Sequence, residues 1–167
     1  MARIPNEQLI KAIADKFDTK VTVIGEPYEL LTVETGREQI IDLLTFLKTD
    51  PELKFIFLTD ITAIHYPEQE KQIGVIYHLH SLTTNTRIRI KVFLTEADVH
   101  IPTATVLWDG ANWMERETYD LFGVIFDGHP DLRRILNVDD MTAFPMRKEF
   151  PLEDPNRVDK KDFYFGR

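Results

Sequence analysis

The sequence predicts an α+β fold of two layers: a mixed, largely antiparallel sheet of about five strands, helices on one face, and an extended C-terminal tail. Three observations predict it. Apolar residues recur at helical spacing in two early segments and one late one. Five short β-prone runs lie among these helices. From Asn137 onward neither period continues, although Phe144, Phe150, Phe163, Tyr164 and Phe165 remain.

The first helix is expected over residues 6–17, where Leu9, Ile10, Ile13 and Phe17 share a stripe and Asn6 is placed to cap the start. Strands at 21–24 and 30–33 follow, separated by a Gly25–Pro27 turn. A second helix is expected over 37–48, with Ile40, Leu43, Leu44 and Leu47 as its core side and Asp50-Pro51 as its stop. The run 53–64 is β-prone, and Pro67 to Gln72 is a loop. Residues 73–82 alternate, with Ile73, Val75, Tyr77 and Leu79 on one face. Residues 87–94 alternate again: Ile88, Ile90, Val92 and Leu94 point one way, Arg87, Arg89 and Lys91 the other. These two runs form a hairpin with one core face and one basic, wet face. Residues 103–122 read as helical, broken at Asp109-Gly110 and ended by Gly123 in a left-handed cap. The expected organisation is thus a domain over 1–136 and a tail over 137–167.

That tail holds Pro145, Pro151 and Pro155, seven acidic and six basic residues. It buries too little on its own to offset the cost of ordering its backbone. Aromatics spaced along an extended chain suit pockets on another surface, and at about 3.3 Å per residue the segment reaches on the order of 100 Å.

Composition excludes several functions. A net charge of -8 disfavours nucleic acid and anionic lipid as main partners, because both require a basic surface. The absence of cysteine excludes disulfides, thiolate-held iron–sulfur clusters and Cys-containing zinc sites. No apolar run approaches a membrane span, and residues 1–7 carry no signal or transit pattern, so a cytoplasmic protein without direct membrane insertion is expected. No glycine pair has G-x-G spacing, and His129-Pro130 stands where a P-loop after Gly123 and Gly128 needs Lys-Ser/Thr. Ser81, the single serine, lies in no nucleophile elbow.

Two groups remain as chemical candidates. His78 and His80 are two apart on a strand and face one side, which is half a metal site; a third ligand could come from His65, His100 or a carboxylate. Such a pair is more often a polar strand face. The densest cluster is Glu115-Arg116-Glu117-Thr118-Tyr119-Asp120, where Glu117 and Arg116 both neighbour Asp120 on a helix. Paired carboxylates do acid–base work or hold a hard cation. With Arg133 and Arg134 close behind the Asp127-Gly128-His129-Pro130 turn, an ion-pair network locking a helix–turn–helix corner is the commoner outcome. Trp108, Trp113, Tyr119, Phe122 and Phe126 surround it.

Residues 115–136, ERETYDLFGVIFDGHPDLRRIL, resemble the signature of the 30 kDa subunit family of respiratory complex I, whose bacterial members are the C-subunits of NADH-quinone oxidoreductase. The resemblance extends upstream through Phe57-Leu58-Thr59-Asp60 and Tyr77-His78-Leu79, and downstream through Pro145-Met146-Arg147-Lys148 to Leu152. Met141 and Ala143 depart from the family's usual Trp and Gly. The resemblance implies a non-catalytic structural and assembly subunit on the cytoplasmic side of the membrane. It implies no cofactor in this chain, with FMN, iron–sulfur clusters and quinone on other subunits. It implies docking on the 49 kDa-type subunit, beside the 20 kDa-type subunit. The residues it marks as structural or interfacial are Glu115, Arg116, Glu117, Tyr119, Asp120, Phe122, Gly123, Phe126, Gly128, His129, Pro130, Arg133, Arg134, Pro145, Arg147 and Lys148. Two alternatives stay open: a stand-alone metal-dependent enzyme using His78, His80, Glu117 and Asp120, or the equivalent subunit of a membrane-bound hydrogenase or ferredoxin-fed complex.

Overall fold

A computed structural model describes residues 3–150. Its elements are α1 (Asn6–Phe17), β1 (Val21–Gly25), β2 (Leu31–Thr35), α2 (Ile40–Thr49), β3 (Phe57–His65), β4 (Ile73–Ser81), β5 (Thr86–Leu94), β6 (His100–Pro102), α3 (Ala111–Phe122) and β7 (Ile125–Asp127). Five strands form one sheet in the order β1-β2-β5-β4-β3, and only β2 and β5 run parallel. The sheet is therefore mixed and largely antiparallel, as expected.

Alternation builds the core. Val75, Tyr77 and Leu79 of β4 lie opposite Val92, Ile90 and Ile88 of β5, all fully or almost fully buried. Leu9, Ile13 and Phe17 of α1 and Ile40, Leu43, Leu44 and Leu47 of α2 pack into the same cluster. The opposite sheet face carries Arg87, Arg89, Lys91, His78 and His80, which stay partly exposed.

Three local expectations are corrected. Asn6 does not cap α1: Pro5 is the N-cap, and its carbonyl accepts the N–H groups of Gln8 and Leu9. Asn6 sits one residue too far into the helix, and its Oδ1 is buried without a partner. Residues 103–110 form two short turns, with Trp108 N–H donating to Ala104 O and Ala111 N–H to Trp108 O, and the long helix starts only at Ala111. The corner after α3 is not helix–turn–helix. Gly123 ends α3 at φ 78° as expected, but the chain then enters β7, which pairs in parallel with β6.

α3 is held on β3. Thr118 Oγ1 of α3 donates to Ile61 O of β3 at 3.2 Å, and in the segments just before these elements Trp108 Nε1 donates to Ile56 O at 2.8 Å. Residues 128–150 then pass back over α3, which brings the C-terminal half of the family-like segment against its own helix.

Candidate functional site: a charged corner around α3

Asp120 is fully buried near the end of α3, and both carboxylate oxygens are occupied. Oδ1 accepts from Arg134 Nη1 at 2.6 Å and Asn137 Nδ2 at 3.0 Å. Oδ2 accepts the successive backbone N–H groups of Ile135, Leu136 and Asn137 at 3.1, 2.7 and 2.9 Å. Burial pushes this carboxyl up, but the bonds from Asn137, Leu136 and Arg134 outweigh it and hold the group well below the usual carboxylate range. Arg134 is equally engaged: Nη1 also donates to Asp120 O, and Nη2 donates to Met141 O and Ala143 O. With its oxygens so filled, Asp120 offers no lone pair for a cation or a substrate proton.

The ion-pair partners differ from those the helical spacing suggested. Arg116 turns from Asp120 to donate to the carbonyls of Arg133 and Arg134. Glu117 is exposed, and Arg133 pairs on the surface with Asp131 at 2.9 Å. The buried pair is Asp120–Arg134.

Glu115 is the second buried acid. It accepts from Thr103 Oγ1 at 2.5 Å and from Ala104 N–H at 2.6 Å. Burial lifts its pKa from 4.5 to about 7 against these two neutral donors. His129 lies beside it, its Nε2 donating to Asn112 O and its Nδ1 accepting from Asp131 N–H, which assigns a neutral ring. Glu115 also helps raise the pKa of Tyr77, after burial as the main cause.

The other marked residues lie as follows. Phe122 and Phe126 are core; Gly128 takes φ 83°, and Pro130 is exposed. Gly123 is covered by Phe144: a Cβ there would meet the Phe144 ring at 2.6 Å. Tyr119 packs its ring against Phe144 at 6.3 Å, and the Arg147 guanidinium lies 4.9 Å from the same ring. Arg147 Nε donates to Phe122 O, Lys148 N–H donates to His65 Nδ1, and half-buried Pro145 precedes both anchors. Residues 137–150, expected to leave the domain, thus lie against it; 151–167, the remainder of the expected tail, fall outside the described residues.

The four residues of the metal-enzyme reading do not form one donor set among the described residues. His78 Nε2 accepts from Arg89 Nε at 2.9 Å, and His80 Nε2 bonds Asn85 Oδ1. The group that does converge is His65, Glu96 and Glu149, with ligand atoms within 4.8 Å. Its chemistry opposes a metal. His65 Nδ1 accepts Lys148 N–H, so the neutral ring carries its proton on Nε2, the nitrogen facing Glu96 at 2.8 Å. That contact is off the axis of the ring N–H.

Exposed apolar side chains surround the corner. Trp113 and Val106 are 60% and 68% exposed, beside Pro130. Leu136 and Val138 are 64% and 68% exposed, and Met146 and Phe150 continue the series. No helix of the described residues is long and apolar enough to cross a membrane.

Sequence reasoning missed Thr103 and Ala104 as Glu115's partners, Asn137 as Asp120's, Phe144 as the cover on Gly123, and His65 as the acceptor for Lys148. These partners lie between 11 and 83 residues apart, beyond any local period.

Known proteins resemble this chain in sequence and in fold. Residues 33–156 match the family model described as the 30 kDa subunit of respiratory-chain NADH dehydrogenase. The chain is 41% identical over 152 residues to the NADH-quinone oxidoreductase C-subunit of Citrifermentans bemidjiense, covering 91% of this chain and 93% of that one. It is 40% identical over 153 residues to the same subunit of Geobacter sulfurreducens, again with coverages of 91% and 93%. Among solved structures, a trypsin-resistant fragment (1–134) of Nqo5 superposes with a TM-score of 0.62 at 33% identity, over 76% of this chain and 98% of the fragment. A chain of an archaeal respiratory membrane complex, the membrane-bound sulfane sulfur reductase, superposes with a TM-score of 0.73 at 25% identity, over 88% of this chain and 86% of that one. The chain belongs to the 30 kDa subunit family of the respiratory-chain NADH dehydrogenase.

Proposed function

We propose that the chain is a non-catalytic structural subunit in the peripheral arm of a proton-pumping NADH-quinone oxidoreductase, on the cytoplasmic side of the membrane. Its main partner is the 49 kDa-type subunit, which with the 20 kDa-type subunit shapes the quinone site; FMN, iron–sulfur clusters and quinone belong to other subunits. The observation that carries this reading is the saturation of Asp120. The acid-rich segment 115–120 spends its buried carboxylates on backbone N–H groups, Thr103, Asn137 and Arg134, and so builds a rigid corner instead of presenting reactive groups. Around that corner, Trp113, Val106, Leu136 and Val138 expose apolar area of the kind that anchors a protein interface.

The test separates docking from folding. A chain ending at Phe150 keeps every contact described above and lacks 151–167. It is expected to bind the purified 49 kDa-type subunit more weakly than the full chain, with an unchanged far-UV circular dichroism spectrum. Equal affinity of the two chains sinks the tail-docking reading.

The similarity to the archaeal complex favours one second reading, the same structural role in a respiratory membrane complex with another electron donor. NADH-dependent quinone reduction by the complex purified through this chain decides between them.

A further inference from the structure

The helix-free face of the sheet carries charge of the wrong sign for this chain. The whole sequence has a net charge of -8, yet β5 presents Arg87, Arg89 and Lys91 on that face at alternate positions. At about 3.3 Å per residue their Cα atoms span roughly 13 Å. A sheet that neutralised them internally would set carboxylates beside them on the flanking strands. The register does so once. Across β4, Arg87 faces His80, Arg89 faces His78 and Lys91 faces Ile76. Across β2, Arg89 faces Thr32, and only Lys91 meets an acid, Glu34. Asp60, the other acid on this face, lies 3.7 Å from His78. Among the described residues none of the three cations has a carboxylate oxygen within 4 Å.

Arg89 is also held in place. Its Nε donates to His78 Nε2 at 2.9 Å, which requires a neutral imidazole there. Both Nη groups are without a hydrogen-bond partner among the described residues, so the end of the fork is oriented and faces solvent. A guanidinium in that state matches the two oxygens of a carboxylate.

We infer that this face, centred on Arg87, Arg89 and Lys91, is a second docking surface, and that its occupant is an acidic segment of a neighbouring protein subunit. The inference rests on the reading of the chain as a subunit of a complex, and it adds a surface on the side of the sheet away from the α3 corner. Charge complementarity selects the occupant: carboxylates spaced along one segment answer a row of three cations. Nucleic acid fits poorly, because three cations on a chain of net charge -8 make no basic track.

The experiment uses the assembled complex, purified through a tag on another subunit. A carbodiimide activates a partner carboxylate; the Lys91 amine displaces the resulting urea, and an amide forms with no spacer. The expected product is a cross-link between the Lys91 peptide and an Asp or Glu of a different polypeptide. An Arg87→Gln, Arg89→Gln variant that still assembles is expected to lower its yield several-fold. Acetylation by an amine reagent is expected to mark Lys91 several-fold less in the complex than in the isolated full-length chain. Equal acetylation in both, or cross-links only to Glu34 or to a second copy of this chain, overturns the proposal while leaving the subunit reading intact. Binding of the isolated chain to phosphatidylglycerol vesicles that the double variant abolishes also overturns it, in favour of a lipid surface. If the chain enters no complex with other subunits, both readings fall together.

Discussion

Glu115 and Asp120 are both fully buried on α3, and their environments drive them in opposite directions. Asp120 receives five side-chain-directed hydrogen bonds, one from a guanidinium; Glu115 receives two, both from neutral donors. Folding raises the Glu115 pKa from 4.5 to about 7, so between these values the native state keeps a proton that the unfolded chain has released. Stability from this group is therefore complete below 4.5 and falls as pH rises toward 7. A Glu115→Gln variant has no such proton. Its stability relative to wild type is expected to improve by on the order of 3 kcal/mol between about pH 5 and about pH 8, read by urea unfolding. Parallel pH profiles would show that the carboxyl is not desolvated as described. Asp120 follows the opposite sign. Its depressed pKa stabilises the fold above 3.8, and that contribution is lost as pH falls through the depressed value. Asp120→Asn removes the counter-charge of Arg134, whose side chain is 8% exposed, and is expected to cost about 3–5 kcal/mol at neutral pH while flattening the acid limb of the unfolding curve. The sequence marked both carboxylates but also Glu117 and Arg133, which the structure leaves on the surface. Helical spacing says which side chains are neighbours, not which are covered by a loop returning from later in the chain.

Gly123 joins two constraints in one residue. As the cap of α3 it takes φ 78°, where its N–H returns to Tyr119 O at 2.8 Å. As the floor under Phe144 it leaves no room for a Cβ, which would stand 2.6 Å from the ring. Gly123→Ala is therefore expected to lose about 2–3 kcal/mol, part from left-handed backbone and part from overpacking. Gly123→Asn separates the two, because asparagine tolerates the backbone angle but still carries the Cβ. Thermal unfolding of Asn and wild-type chains that coincide would show that Phe144 yields without cost. The cap was legible because a glycine after an amphipathic run is a local signal, and the span of α1 was readable from its local stripe in the same way. β6 and β7 were not: each is three residues long, and their parallel pairing joins His100 to Ile125 across a helix. The stretch 103–110 joins the amphipathic run of α3 without a break in the apolar pattern, but Thr103, Thr105 and Val106 are poor helix formers and Glu115 claims the Thr103 hydroxyl and the Ala104 N–H.

At the scale of the molecule, residues 137–150 act as a strap joining β3, α3 and the loop after β7. No apolar period announces it, because it holds on through hydrogen bonds of its backbone, Asn137 and Arg147 and through one aromatic ring. Arg134 reaches Met141 O and Ala143 O, Met146 N–H donates to Leu121 O, and Lys148 N–H donates to His65 at the far end of β3. The sheet, by contrast, was legible in outline: β4 and β5 alternate visibly and the other three strands lie in β-prone runs, while the strand order, the parallel pairing of β2 with β5 and the start of β3 at Phe57 needed the structure. The strap moves the place where the chain can be cut. Ending it at Leu136 removes both Asn137 bonds to Asp120, the two carbonyl acceptors of Arg134, the cover on Gly123 and the acceptor contact at His65. Ending it at Phe150 removes none of these. The shorter chain is expected to melt lower than the full chain by about 5 °C or more, since even 1 kcal/mol shifts a domain of this size by a few degrees. The longer one is expected to melt with the full chain. If the chain ending at Leu136 melts at the full chain's temperature, the contacts of 137–150 contribute nothing to the fold. The Asp120–Arg134 pair would then have to be stable without the carbonyls that now surround it.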